Sequence, residues 1–180
     1  MKRDFRSLLF SYLHAMPVES ILQNLLEARV RLALEHLVKV MKTELVRQKH
    51  RASGATEKSF RIEIDYGAGI VEGRIISPLH TIFLERGTKP HRPPFDAIYN
   101  WTKFVFPGIP EKSRRSLSWA IIQNIAKEGT PSAASLSLSE TGKRTEFTKD
   151  AISQASGQFF RILDLENYAG ELVRQKLFQN

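Results

Sequence analysis

Cysteine is absent from the sequence, which excludes disulfides and thiolate metal sites. Long apolar runs are absent too, and none approaches the ~20 residues needed to span a bilayer. The start, Met1-Lys2-Arg3-Asp4-Phe5-Arg6, has the charge of a signal peptide. The stretch behind it, Ser7–Met16, is short and broken by Ser11, Tyr12 and His14, with no cleavage site, and predicts a cytosolic product. There is no internal repeat and no phosphate-cradling glycine loop with a following lysine. The His-Glu-x-x-His spacing of a zinc protease and the Gly-x-Ser-x-Gly elbow of a hydrolase are also missing.

What is present is ordinary soluble-domain material: 180 residues, 42% hydrophobic and 26% charged. That length suits one structural domain, 1–180, with a real core. The charge balance says more. A formal net charge of +8 and a pI near 9.9 favour a place beside phosphate or another acidic partner.

The pattern from Val18 to about Lys49 is helical: Leu22, Leu26, Val30, Ala33, Leu37, Val40, Met41 and Leu45 return every three or four residues. Such a helix would be ~45–50 Å long, too long to be buried entirely within so small a domain. Arg51-Ala52-Ser53-Gly54 is expected to end it, with Gly54 in the left-handed position. The period then falls to two. Phe60, Ile62, Ile64 and Tyr66 alternate with Arg61, Glu63 and Asp65, which predicts a strand with one wet face. Gly67-Ala68-Gly69 predicts a turn, Ile70–Ser77 a second strand, and Thr81–Glu85 a third.

The second half predicts helices. Pro93-Pro94 opens one carrying Ile98, Trp101, Phe104 and Val105. Another runs from Glu111 to Glu128, with Gly129 as its cap. Pro131–Lys143 is Ser-rich and predicts an arm, and Thr145–Leu177 a last helix, with Gly157 and Gly170 as possible bends. The expected fold is α+β: a long N-terminal helix, a small antiparallel sheet of three or more strands, and C-terminal helices with a Ser-rich arm. Its parts are an extension (1–17), a core (18–130), a flexible arm (131–147) and a terminal helix (148–180).

Residues with chemical potential have plainer explanations. Glu63 and Asp65 share a strand face and have the right donors for Mg²⁺, but their alternation marks that face as the solvated one. His80 and His91 flank Glu85 without a recognised ligand spacing. Asp65, Glu85 and Lys89 are the residue types of a Mg²⁺-dependent nuclease, yet Lys89 lies beyond a Gly-Thr turn from Glu85. Arg114-Arg115 lacks the paired helix of a DNA reader. Lys39, Lys42, Arg47, Lys49, His50 and Arg51 gather toward the end of the long helix. A solvated face is the default there, and a DNA-facing stripe the sharper alternative. No catalytic, cofactor or metal site is expected.

One stretch is distinctive: Leu84-Glu85-Arg86-Gly87-Thr88, a basic Pro-rich loop, then Pro93-Pro94 with Ile98 and Trp101. Further on, Ile125-Ala126-Lys127-Glu128-Gly129-Thr130 ends an amphipathic helix. Over about residues 20–130 this order resembles the head–tail joining and tail-completion (neck) proteins of tailed bacteriophages. The long terminal helix and Ser-rich arm depart from that pattern.

The resemblance implies a structural virion protein, made in the host cytoplasm and not an enzyme. It implies a homo-oligomeric ring, a hexamer or alternatively a dodecamer, between portal or adaptor and tail-tube or tail-terminator proteins. Genomic DNA would pass through its lumen, with no membrane partner. In such a role Gly87 permits a turn, Pro93 and Pro94 set the start of a helix, and Trp101 anchors it. The competing expectations are a sequence-nonspecific DNA-binding protein acting alone and the nuclease.

Overall fold

The structure, a computed structural model, describes residues 18–50 and 53–164. These form two compact units. The first comprises 18–36, 62–75 and 156–164; the second comprises 37–50, 53–61 and 76–155. The expected α+β class holds, with a long helix first and helices in the second half. Among the described residues no helix is long and apolar enough to cross a membrane.

Helix α1, Val18–Arg47, contributes residues to both units. In the first unit its Ala33 and Leu34 are buried. Strands β1 (Arg61–Gly67) and β2 (Ile70–Ile76) form a two-stranded antiparallel hairpin. Half-buried Ile62, Ile64, Val71 and Ile75 line one face, while Glu63, Asp65, Glu72 and Arg74 stay exposed. Arg74 joins Asp65 at 2.9 Å and Glu72 at 2.8 Å across that wet face, as the alternation predicts. Gly73 lets α1 approach: a Cβ there would stand 2.5 Å from a Leu34 methyl and 2.6 Å from a Val30 methyl.

Ala68 and Gly69 link the strands with φ of 52° and 77°, the two positive values of a tight hairpin turn. The Arg29 guanidinium donates to the Ile162 carbonyl at 3.3 Å, near the end of α7 (Phe147–Leu163).

In the second unit α1 ends earlier than expected. Lys49, at φ 56°, takes the left-handed position. The His50 N–H then reaches the Leu45 carbonyl and the Lys49 N–H the Val46 carbonyl, the six-to-one and five-to-two bonds of a Schellman cap. Gly54 instead precedes α2, Ala55–Ser59.

The expected third strand is a helix, α3, Thr81–Arg86. Periodicity cannot separate the two over six residues, and the preceding turn decides. The Thr81, Ile82 and Phe83 N–H groups bond to the carbonyls of Pro78, Leu79 and His80, and the Thr81 hydroxyl donates to Pro78 at 2.6 Å. The sheet therefore has two strands rather than three or more.

Helices α4 (Phe95–Val105) and α5 (Glu111–Glu128) pack together. Small polar residues permit the approach: Thr102 and Ser118 are fully buried, their hydroxyls 3.4 Å apart. Ser118, Ile122 and Ile125 form the buried stripe of α5.

The Ser-rich segment expected as an arm over 131–147 holds a four-residue helix, α6 (Ala133–Leu136), among turns, and its last residue, Phe147, already belongs to α7. It is nonetheless joined to the end of α1. The Glu140 N–H donates to the Arg47 carbonyl at 3.0 Å. The Arg144 guanidinium donates to the carbonyls of Gln48 at 3.1 Å and Lys49 at 2.9 Å. Carbonyls left over at a helix end need such donors.

Of the expected terminal helix, Phe147–Leu163 is described. Thr145, Glu146 and Asp164 are not helical, and residues 165–177, with Gly170, lie outside the described residues, as does the extension 1–17.

Candidate functional site

Two Gly-Thr dipeptides meet in the second unit. Helices α3 and α5 end alike: the Gly87 N–H bonds to the Phe83 carbonyl at 2.9 Å and the Gly129 N–H to the Ile125 carbonyl at 2.8 Å. The glycines share a backbone shape, φ 72° and ψ −172° at Gly87, φ 84° and ψ −160° at Gly129. That region is nearly closed to residues with a Cβ. The following threonines pair antiparallel. Thr88 N–H donates to the Thr130 carbonyl at 2.7 Å, and Thr130 N–H returns a bond at 3.2 Å. Their hydroxyls are 2.8 Å apart. A Cβ on Gly87 would collide with the Thr130 carbonyl, and one on Gly129 with the Thr88 carbonyl.

Beside this bridge lies a cavity of about 240 Å³. Leu84, Ile98, Trp101, Ile121 and Ile125 form much of its apolar wall, and Thr130 joins it to the bridge. Trp101 is half-buried and not enclosed, with Phe106 edge-on at 6.1 Å.

Two nitrogen side chains, His50 and Arg144, also line the cavity. Burial, reinforced by the Arg144 charge, pushes the His50 imidazole down to about 4, so it is neutral at pH 7. Burial also lowers the Arg144 guanidinium from its usual value. The two carbonyls it caps offset part of that cost.

The chain matches no protein-family model, no curated protein and no solved structure.

Of the motif residues, Leu84, Gly87, Thr88, Ile98, Trp101, Gly129 and Thr130 thus come together at the bridge and cavity. Pro94 stands at the N-cap of α4 with Pro93 before it. Arg86 is exposed in the last turn of α3.

Glu85, expected at the end of a strand, instead lies on α3 and caps another helix. Its carboxylate accepts the Thr148 N–H at 2.9 Å, and its backbone carbonyl accepts the Glu146 N–H at 2.8 Å. A carboxylate there also complements the N-terminal end of the α7 dipole.

Asp65, His80 and His91 have other partners. Asp65, in the first unit, pairs with Arg74. His80 meets Thr56 at 2.9 Å, and His91 meets the Lys89 carbonyl at 2.9 Å. Among the described residues no group of three His, Asp or Glu is placed to hold a metal ion.

The basic residues of α1 are dispersed in role. Lys39 is exposed and Lys42 half-buried. Arg47 bonds to the buried Glu44 at 2.9 Å. Lys49 pairs with Glu140, which holds that carboxyl below its usual value. Arg51 lies outside the described residues.

Sequence reasoning groups His50 with the basic stripe rather than the cavity it lines, and misses Arg144 and the capping role of Glu85. Arg144 and Gln48 are 96 residues apart, and Glu85 and Thr148 63 apart, so no local spacing signals either contact.

Proposed function

We propose that this chain is a structural protein of the tailed-phage virion, a head–tail joining or tail-completion subunit that forms a ring in the neck. One observation carries most of the support. Motif residues separated by more than forty positions gather at a single bridge and cavity, and each has a backbone or packing task there. Gly87 and Gly129 admit two backbones to close contact, Thr88 and Thr130 join them, and Leu84, Ile98 and Trp101 wall the space beside them. These are the tasks of a scaffold.

Exposed apolar side chains add a second line of support. Leu79 is 84% exposed and Phe160 68% exposed, and surface of that kind suits contact with neighbouring subunits. The ring would be closed by rotation through head-to-tail contacts, as a hexamer or alternatively a dodecamer. Portal or adaptor proteins would lie on one side and tail-tube or tail-terminator proteins on the other. DNA in the lumen would meet basic residues without its sequence being read.

Negative-stain images of the purified chain, with light scattering for mass, test this reading. Rings of uniform size, or antibody labelling at the neck of a phage particle, are the expected result. A monomer at high concentration that nicks plasmid with Mg²⁺, with Glu85→Ala abolishing the nicking and leaving the fold intact, would establish the nuclease instead.

A further inference from the structure

We propose that the α4–α5 surface is a binding site for single-stranded nucleic acid, built from a row of three aromatic rings with a cation over each. This site is separate from the α1 basic stripe and does not depend on the neck reading.

The row lies within the second unit. Lys103 stands over the Tyr99 ring at 4.7 Å. Tyr99 stacks with Phe95 at 5.7 Å and an interplanar angle of 16°. Phe95 meets Trp119 at 5.1 Å. Arg115 covers Phe95 at 5.5 Å, and Arg92 covers Trp119 at 5.4 Å. The cations are exposed, as is Trp119, at 43%. Among the described residues, the side chains of Arg92 and Arg115 make no hydrogen bond or ion pair.

The sequence around the row is biased the same way. Residues 86–119 carry seven Lys or Arg against two carboxylates, which is five of the chain's eight net positive charges. They also hold six of its aromatic residues.

A guanidinium lying flat on a ring keeps its edge N–H donors available for phosphate, and its outer face can stack on a base. Aromatic rings offer a base a sequence-tolerant platform. Cation–π pairing alone would explain each contact as local stabilisation. It does not explain why neither guanidinium has an acidic partner among the described residues, or why the charge excess concentrates where the rings are. A polyanion with exposed bases answers both features, whereas an intact duplex hides its base faces.

The test uses the full chain with three probes: a labelled oligothymidylate of about 16 nucleotides, a duplex of the same length, and inorganic polyphosphate. The single strand should bind tightest. Trp119→Ala should weaken it about fivefold or more while leaving the salt dependence nearly unchanged. Arg92→Ala with Arg115→Ala should lower the slope of log affinity against log salt by about 0.7 per lost phosphate contact. Lys149→Ala removes a charge away from the row and serves as the control, with circular dichroism checking that each variant is folded.

Equal binding of all three probes would overturn the proposal, leaving a phosphate-attracting surface only. So would a Trp119→Ala protein that binds like the parent. Loss of self-assembly in Trp119→Ala, with no oligonucleotide bound by the parent, would also overturn it and make the face an interface between copies.

Discussion

Thr88 and Thr130, forty-two positions apart, exchange both of their backbone hydrogen bonds and bring their hydroxyls within 2.8 Å. The pair exists because the residue before each threonine is glycine. Each glycine closes a helix, turns the chain through a conformation reserved for glycine, and leaves room for the opposite carbonyl.

Gly87→Ala and Gly129→Ala should therefore each destabilise the protein by about 2–4 kcal/mol, combining backbone strain with a clash against a carbonyl. Gly108→Ala is the control, since its Cβ would meet nothing within 4 Å and its φ is not positive. It should change stability by less than about 0.5 kcal/mol. Urea denaturation of the three variants measures this. Parent-like midpoints for both Gly87→Ala and Gly129→Ala would remove the bridge as a structural element.

The sequence pattern reveals some of these elements and conceals others for physical reasons. The apolar repeat of α1 and the alternation of β1 are local signals repeated over several turns or residues, so they survive any tertiary context. Thr81–Arg86 has β-branched and aromatic residues in a six-residue run. At that length Pro78 and the bonds around His80 outweigh propensity. Both Gly-Thr pairs stand out in the sequence, but nothing local says that they face each other. The Phe95–Tyr99 stack has the four-residue helical spacing that sequence can show; the Arg92–Trp119 contact depends on how α4 and α5 cross. The Ser-rich segment reads as a loose arm because its contacts, Glu140 to Arg47 and Arg144 to Gln48, are long-range.

Glu85 illustrates how a residue with catalytic potential can have a structural task. Its carboxylate satisfies an N–H in the first turn of α7. Glu85→Ala should cost about 1–2 kcal/mol, the usual effect of losing a helix N-terminal acceptor. Glu85→Gln keeps an acceptor oxygen and should recover part of that loss. Thermal or urea unfolding of both variants checks the order, and equal losses would argue against the capping role.

The hairpin turn leaves room for improvement. Ala68 sits at φ 52°, where a Cβ is unfavourable and asparagine is far better tolerated. Ala68→Asn makes the two central residues Asn-Gly, the favoured pair for this turn. The substitution should stabilise the protein by about 0.5–1 kcal/mol. Ala68→Pro, whose ring cannot reach positive φ, should destabilise it. A rise in unfolding midpoint for the first and a fall for the second are the expected signs.

His50 makes stability depend on mildly acidic pH. Its folded value is near 4 against an ordinary 6.5, because burial and the neighbouring Arg144 both disfavour the imidazolium. Between those two values the unfolded chain binds the proton and the folded chain does not, so stability rises with pH across that window. From pH 7 the contribution is lost progressively as the pH falls through 6.5, and the loss levels off below about 4. Its full size is on the order of 3 kcal/mol. His50→Gln cannot titrate and should flatten that part of the profile, even though it changes the packing against Gln48. Urea unfolding at half-unit intervals from pH 4 to 7 separates the two effects. A cavity or packing defect would shift the whole curve at every pH, whereas loss of the buried imidazole would remove only the slope. A parent profile already flat over this range would mean that His50 can take up its proton inside the folded chain.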